Sequence, residues 1–121
     1  MAKTALLFAG QGAQVVGMGR DLAEAYPTAK SLFAEADEAL GYGLSEICFS
    51  GPEEELVRTE HAQPAIYLVG WIALKLLREQ APSISFEATA GLSLGEFTAL
   101  AAADAIGFED GLHVVRRRGE L

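Results

Sequence analysis

The chain has 121 residues, half of them hydrophobic, and its formal net charge is −8 at pH 7. This length allows a single domain with a hydrophobic core, and the acidic balance argues against nonspecific binding of nucleic acid. The only cysteine, Cys48, rules out an internal disulfide and a thiol-based metal site, and we expect it to be buried and inert. Together these features favour a cytoplasmic enzyme that binds neither nucleic acid nor a membrane.

Hydrophobic periodicity predicts two short strands and a larger number of helices. The predicted strands are residues 4–9 and 85–90, and the first is expected to be buried. The predicted helices are 20–26, which Pro27 ends, 28–40, one that begins after Pro52, 65–77, 94–104 and a last helix that ends at Leu121. The nearly apolar segment 65–77 is too short to span a membrane, so we predict a core helix in which Trp71 packs.

The first predicted strand runs into a glycine-rich loop, Gly10-Gln11-Gly12. Because this loop lacks bulky side chains, its backbone N–H groups can approach a ligand closely. A dinucleotide-binding fingerprint would need glycine where the chain has Val15, and a phosphate-binding loop would need a Gly-Lys-Ser/Thr sequence that is missing here. Two interpretations stay open, namely a loop that binds an oxyanion and a flexible turn between strand and helix.

Residues 91–96 have the sequence Gly-Leu-Ser-Leu-Gly-Glu, between a predicted strand and a predicted helix. This context is typical of a nucleophile elbow, a turn so tight that side chains at the two glycine positions would collide. The turn would hold the Ser93 hydroxyl at its tip, and the Leu94 N–H would lie at a helix start, where unpaired donors favour an oxyanion. The pattern alone also occurs in ordinary loops and helix starts, so the interpretation depends on this context.

The last predicted helix places Arg118 on its apolar side. At about 100° per residue, Val114 and Val115 flank the direction in which Arg118 projects. The polar residues project to the other side: His113, Arg116, Arg117 and Glu120. A charge on an apolar face needs a partner, and a guanidinium can hold a carboxylate with two parallel hydrogen bonds. That partner is either a ligand carboxylate or an acid elsewhere in the core, unless the side chain reaches solvent.

Four segments of the chain together resemble the malonyl-CoA:acyl-carrier-protein transacylase family. They are Leu-Phe-Ala-Gly-Gln-Gly-Ala-Gln at 7–14, Gln-Pro-Ala-Ile at 63–66, Gly-Leu-Ser-Leu-Gly-Glu-Phe at 91–97 and Arg-Gly at 118–119. They occur in that family's order and at its spacing, and the resemblance extends over the whole chain. Four ordered motifs are far more specific than any one of them.

The resemblance implies an α/β fold in which residues 1–121 form the amino-terminal portion of an α/β-hydrolase-like acyltransferase core with a nucleophile elbow. In the family a ferredoxin-like small subdomain follows, and the core then resumes. Two strands are also too few for a stable parallel sheet that is covered on both faces. We therefore expect the chain to be incomplete at Leu121, with the small subdomain and the rest of the core absent.

The resemblance also implies a reaction and a set of site residues. Ser93 would take malonyl from malonyl-CoA as an ester and pass it to the phosphopantetheine thiol of acyl carrier protein, in fatty acid biosynthesis. The N–H groups of Gln11 and Leu94 would form the oxyanion hole, Arg118 would hold the free malonyl carboxylate, and Gln63 would line the site. The coenzyme A thioester is a substrate, and neither a cofactor nor a metal is implied.

The chain departs from the family at two points. Leu92 stands where the family often has a histidine, which we interpret as variation in the site wall. The family's catalytic histidine follows its arginine motif, which places the base beyond Leu121. Neither histidine present is a convincing substitute, since His61 is expected to be a helix cap or surface residue and His113 to point away from Arg118.

Three other functions remain possible on the sequence. The chain could belong to the acyltransferase domain of a polyketide synthase, or to a serine hydrolase that uses water as the acceptor. It could also be an inert fragment that binds acyl groups without turnover, because a serine without a base is a poor nucleophile. A carboxylate-binding arginine argues against a simple esterase.

Overall fold

Two strands and seven helices make up the computed structural model, which describes residues 3–121. In chain order they are β1 Ala5–Phe8, α1 Arg20–Ala25, α2 Pro27–Leu40, α3 Leu44–Ser50, α4 Glu53–Leu56, α5 Thr59–Gln80, β2 Ala88–Gly91, α6 Gly95–Ala102 and α7 Phe108–Glu120. This arrangement confirms the predicted α/β class.

The two strands form a parallel sheet, and the five helices α1–α5 lie between them in the chain. The register runs from Ala5 opposite Ala88 to Phe8 opposite Gly91. Because the strands are parallel, their carboxyl ends lie at the same edge of the sheet, which is where ligands bind in open α/β folds. The glycine-rich loop after β1 and the turn after β2 are therefore neighbours.

The prediction that the first strand is buried was wrong. Residues alternate along β1 between exposed and half-buried, and Leu7 is 81% exposed. Leu6 and Phe8, on the other face, pack against the core. Side chains of a strand alternate between its two faces, and only the face carrying Leu6 and Phe8 is packed against the core within residues 3–121.

The long helix α5 is the centre of the core, with most of its middle turns buried. It begins at Thr59 and ends at Gln80, so the predicted helix 65–77 was too short at both ends, and Pro64 lies inside the helix. Pro64 is the sixth residue of α5, so the helix lacks the hydrogen bond that an N–H at this position would donate to the Glu60 carbonyl oxygen. Although α5 has 22 residues, neither it nor any other helix in the described range is long and apolar enough to cross a membrane.

The helices before α5 differ from the prediction in their boundaries. Pro27 is the first residue of α2, because its fixed φ and missing N–H suit the start of a helix. The helix predicted after Pro52 is a single turn, α4. Helix α3 was not predicted, and it buries Cys48 completely. Burial raises the pKa of the Cys48 thiol to about 12, in agreement with the expected inert residue.

Helix α7 packs along α5 through aromatic side chains. The Phe108 ring stacks on Trp71 at 5.2 Å and on Tyr67 at 5.7 Å between ring centroids. The Tyr67 hydroxyl also donates a hydrogen bond to the Phe108 carbonyl oxygen over 2.8 Å. Trp71 therefore packs in the core as predicted, and α7 is held against α5 near its amino-terminal end.

Candidate active site

The turn after β2 has the geometry of a nucleophile elbow. Ser93 lies in the left-handed region with a φ of 54°, which is uncommon for a residue other than glycine and is typical of strained functional turns. A Cβ atom added to Gly91 would lie 2.6 Å from the Glu96 nitrogen, and one added to Gly95 would lie 2.9 Å from the Phe8 carbonyl carbon. The predicted collisions at both glycine positions are therefore confirmed.

The loop after β1 lies against this elbow. A Cβ atom at Gly10 would be 2.5 Å from the Leu92 carbonyl oxygen and 3.9 Å from the Leu94 nitrogen. The backbone N–H groups of Gln11 and Leu94 donate to no acceptor within residues 3–121. Helix α6 begins at Gly95 rather than at the predicted Leu94, so the Leu94 N–H lies just before its first turn. These two donors are available to a ligand held at Ser93.

Arg118 contacts two of the other predicted site residues, Ser93 and Gln63, through its guanidinium group. Its Nη2 donates a hydrogen bond to Ser93 Oγ over 3.0 Å, and its Nη1 donates one to Gln63 Oε1 over 2.8 Å. The guanidinium carbon lies 5.6 Å from the centre of the Phe97 ring, which adds a cation–π contact. Gln63 is buried in α5, so its amide is a fixed acceptor.

The charge of Arg118 has no carboxylate partner within residues 3–121. This observation removes the interpretation in which Arg118 pairs with an acid in this part of the core. The side chain is half-buried, where an uncompensated charge is unfavourable. The site therefore contains a fixed cation, next to a serine hydroxyl, that is free to bind an anion.

The predicted apolar face of α7 was partly wrong. Val115 is buried, but Val114 is 47% exposed. The buried residues of this helix are Gly111, Leu112, Val115 and Gly119. The two glycines bring α7 close to α5 along this line, which turns Val114 towards solvent and leaves Arg118 at the border of the contact.

Neither histidine hydrogen-bonds to Ser93. His61 lies within α5, and its Nδ1 is 2.9 Å from the Glu55 carbonyl oxygen, so the predicted cap or surface position was wrong. The helix begins earlier than predicted, which places His61 in its first turn.

His113 is exposed and borders the same open cavity as Arg118, with a volume of about 490 Å³. The cavity is wide enough to include both residues, so the prediction that His113 points away from Arg118 is not tested by this contact and stays a prediction.

Two further features of the site were not predicted. Phe97 supports the guanidinium of Arg118. It is the third residue of α6, and its position four residues after Ser93 could have indicated that the two residues lie near each other. Gly119 contacts the first turn of α5, for which the sequence contains no signal. Within the described range, no group of three or more His, Cys, Asp or Glu side chains could hold a metal ion.

Comparison with known proteins identifies relatives of this chain. A family model described as an acyl transferase domain matches residues 5–121. A malonyl CoA-acyl carrier protein transacylase of Bacillus subtilis is 48% identical over 121 residues, and the alignment covers all of this chain and 38% of the relative.

Solved structures match over almost the whole chain. The malonyl CoA-acyl carrier protein transacylase of Clostridium perfringens superposes with a TM-score of 0.91 at 43% identity, over 98% of this chain and 37% of that one. A malonyl-transacylase solved in complex with a type II polyketide synthase acyl-carrier protein superposes with a TM-score of 0.92 at 39% identity, over 98% of this chain and 38% of that one. The chain thus spans less than two-fifths of the length of these proteins.

Proposed function

The chain belongs to the acyl transferase domain family, and from that membership we propose that this protein transfers malonyl from malonyl-CoA to acyl carrier protein. The observation that carries the proposal is the Arg118 guanidinium, which donates to Ser93 Oγ and has no carboxylate partner within residues 3–121. The acceptor is the phosphopantetheine thiol of the carrier protein, and the pathway is fatty acid biosynthesis in the cytoplasm. The reaction needs no cofactor, since the thioester supplies the activated acyl group.

The reaction proceeds in two acyl transfers through Ser93. In the first, Ser93 Oγ forms a bond to the malonyl thioester carbon, the bond from that carbon to sulfur breaks, and the serine proton passes to the departing coenzyme A thiolate. In the second, the carrier-protein sulfur forms a bond to the malonyl carbonyl carbon, the bond from that carbon to Ser93 Oγ breaks, and the thiol proton passes to Ser93. The N–H groups of Gln11 and Leu94 stabilise the oxyanion that forms each time. In the family that the chain resembles, the base is a histidine that follows the arginine motif, and from that resemblance we assign the base to a histidine beyond Leu121. Neither His61 nor His113 hydrogen-bonds to Ser93.

The spacing of the site fits a short dicarboxylic acyl group. In malonyl a single methylene separates the thioester carbonyl from the free carboxylate. Arg118 Nη2 lies 3.0 Å from Ser93 Oγ. A carboxylate bound to Arg118 and a carbonyl carbon at Ser93 would therefore be separated by a short distance, which a single methylene can span. Binding the carboxylate exchanges the contact with Ser93 for a stronger charge-assisted one and frees the hydroxyl for attack. Acetyl has no group to make this exchange.

A role in polyketide biosynthesis is the second candidate. It is favoured by the likeness to the malonyl-transacylase whose solved complex contains a type II polyketide synthase acyl-carrier protein. The chemistry at Ser93 is the same in both pathways, and only the carrier protein differs. Comparing discharge of the malonyl enzyme onto carrier proteins of the two kinds separates these candidates. A serine hydrolase fits less well, since ester hydrolysis does not need the cation at Arg118.

The test is intact-mass measurement after malonyl-CoA is mixed with the longest product of this reading frame, beside its Ser93→Ala variant. We expect a malonyl adduct that is absent from the variant and that disappears when phosphopantetheinylated carrier protein is added. No adduct on the folded wild-type protein would reject the proposal. An adduct that persists in Ser93→Ala would place the nucleophile elsewhere, and discharge to water alone would favour the hydrolase.

A further inference from the structure

The last turn of α7 touches the first turn of α5 at Gly119. A Cβ atom added there would lie 2.9 Å from both the Glu60 Cα and the Thr59 carbonyl carbon, and closer still to the Thr59 carbonyl oxygen. These are backbone atoms, so they cannot move aside as the end of a side chain could. The Thr59 hydroxyl also donates a hydrogen bond to the Gly119 carbonyl oxygen over 2.9 Å. The two helix ends are therefore joined both by close approach and by a specific hydrogen bond.

A glycine at this position is explained by space rather than by backbone conformation. Gly119 lies inside α7, and its φ is not in the left-handed region. Alanine would favour a helix by about 1 kcal/mol over glycine at such a position. Glycine at this position therefore destabilises the helix locally. Because it has no side chain, it also leaves room for the close contact with Thr59.

The contact between Gly119 and Thr59 is adjacent to the hydrogen bond between Arg118 and Gln63. On α7, Arg118 directly precedes Gly119. On α5, Gln63 follows Thr59 by four residues and so lies on the same side of the helix, one turn later. The pair Thr59–Gly119 and the pair Gln63–Arg118 are thus two neighbouring links between the same helices. The first link sets how far the Arg118 backbone lies from α5.

The distances leave little room for displacement. The guanidinium reaches Gln63 at 2.8 Å and Ser93 at 3.0 Å, and N–H···O hydrogen bonds in proteins lie between about 2.7 and 3.2 Å. A side chain at position 119 would clash with the backbone of Thr59 and Glu60. The end of α7 would have to move away from α5 to relieve this clash. Arg118 would move with the helix end, away from Gln63 on α5 and out of its present position beside Ser93. Binding of a carboxylate through two parallel hydrogen bonds depends on this placement.

We propose that Gly119, together with Thr59, is a positioning element that sets Arg118 at the distance needed to bind the substrate carboxylate. The inference rests on the proposed function, because it concerns recognition of malonyl. Gly119 does not touch the substrate and acts through Arg118 alone. Its effect should therefore fall on substrates that carry a free carboxylate and not on acyl groups that lack one.

The test compares kcat/KM for malonyl-CoA and acetyl-CoA in the longest product of the reading frame. We expect Gly119→Ala to lower the malonyl-to-acetyl ratio by about tenfold or more, since a charge-assisted hydrogen bond is displaced. In an Arg118→Ala background, Gly119→Ala should leave the ratio unchanged, because the group through which it acts is gone. A further drop in that background would overturn the inference.

Gly111→Ala is the matched structural control. It makes the same substitution in the same helix, and its Cβ would also clash, in this case with the Tyr67 ring, 2.8 Å from its Cζ. Gly111 lies about two turns from Arg118, so this variant should lose stability but keep the malonyl-to-acetyl ratio. If Gly111→Ala and Gly119→Ala lower the ratio equally, the effect is one of general destabilisation and the inference fails.

A second pair of variants decides the question if Gly119→Ala does not fold. Thr59→Val removes the hydroxyl at nearly constant shape and should lower the ratio by about threefold, whereas Thr59→Ser keeps the hydroxyl and should preserve it. Equal ratios in the two variants would overturn the inference. Failure of this inference can be distinguished from failure of the proposed function. If the proposed function is wrong, the wild-type protein itself will not be malonylated, and both proposals are then rejected.

Discussion

The guanidinium Nη2 of Arg118 donates a hydrogen bond to Ser93 Oγ over 3.0 Å, although the two residues lie 25 positions apart in the chain. This contact brings an elbow serine and a half-buried cation into one site. Because the second guanidinium nitrogen is held by the buried amide of Gln63, the cation has a fixed position. A site of this kind is suited to an acyl group that carries a carboxylate close to its reacting carbonyl.

Removing the Arg118 guanidinium should lower activity with malonyl-CoA far more than activity with acetyl-CoA. Arg118→Ala is expected to lower kcat/KM for malonyl-CoA by about 100-fold or more, since losing one partner of a desolvated charge pair costs about 3 kcal/mol. Acetyl-CoA should be affected far less. Arg117→Ala is the control, because the Arg117 side chain is 72% exposed and forms a surface ion pair with Glu120, 3.7 Å away. Equal losses for both substrates would contradict a carboxylate-binding role.

The Gln63 amide should affect malonyl-CoA binding mainly because it holds the Arg118 guanidinium in position. Gln63→Leu removes the acceptor that holds Nη1 and is expected to raise KM for malonyl-CoA by about tenfold. Gln63→Glu places a carboxylate against the guanidinium and should raise KM further, because it competes with the substrate. Steady-state kinetics with both acyl-CoAs would measure these effects. An unchanged KM in Gln63→Glu would show that Gln63 does not control the cation.

The elbow should not tolerate a side chain at Gly95. Gly95→Ala would press a Cβ atom against the backbone of Phe8, and we expect it to lower the free energy of unfolding by about 2–3 kcal/mol. Gly43→Ala is the control, since its Cβ would meet nothing closer than 3.9 Å, and it should cost no more than about 1 kcal/mol, because Gly43 is the N-cap residue of α3. Urea unfolding of the two variants beside the wild type measures the difference. Similar stabilities would mean that the turn can relax.

Stability should fall in alkaline solution. Burial raises the pKa of both Cys48 and Tyr42 to about 12, from ordinary values of 9.0 and 10.0. Since the folded values exceed the unfolded ones, the stabilisation is fully present below about pH 9 and is lost as the pH rises towards 12. Urea unfolding at about pH 8 and about pH 11 should show this loss.

Removing either group should reduce that alkaline loss. Burial also raises the pKa of Tyr67 above its ordinary value. Cys48→Ala therefore removes one of three such groups, so its stability should depend less steeply on pH. Tyr42→Phe should act similarly, and near neutral pH it should cost little, because the buried Tyr42 hydroxyl has no hydrogen-bond partner within the described residues. A wild-type protein whose stability does not change above pH 9 would contradict both expectations.

Several features of the site could be predicted because they depend on adjacent residues. The elbow at Ser93 follows from two glycines and the strand and helix that flank them, and the collision that Gly91 avoids is within one turn, whereas the one that Gly95 avoids is with the backbone of β1. The glycine-rich loop at Gln11 was predicted for the same reason. The roles assigned to Gln63 and Arg118 came from the resemblance, and the structure brings these residues into contact with each other. Their part in catalysis stays a prediction.

Other features depend on residues that are far apart in the chain. The start of α5 before Pro64, the burial of Val115 but not Val114, and the contact at Gly119 were not predicted. Each is set by how α5 and α7 approach one another, and the hydrogen bond that joins their ends spans 60 positions. A local pattern specifies backbone conformation, because the clashes that limit it lie within a few residues. The distance and rotation between two helices depend on the side chains that meet across them, so only the tertiary structure decided where Arg118 lies.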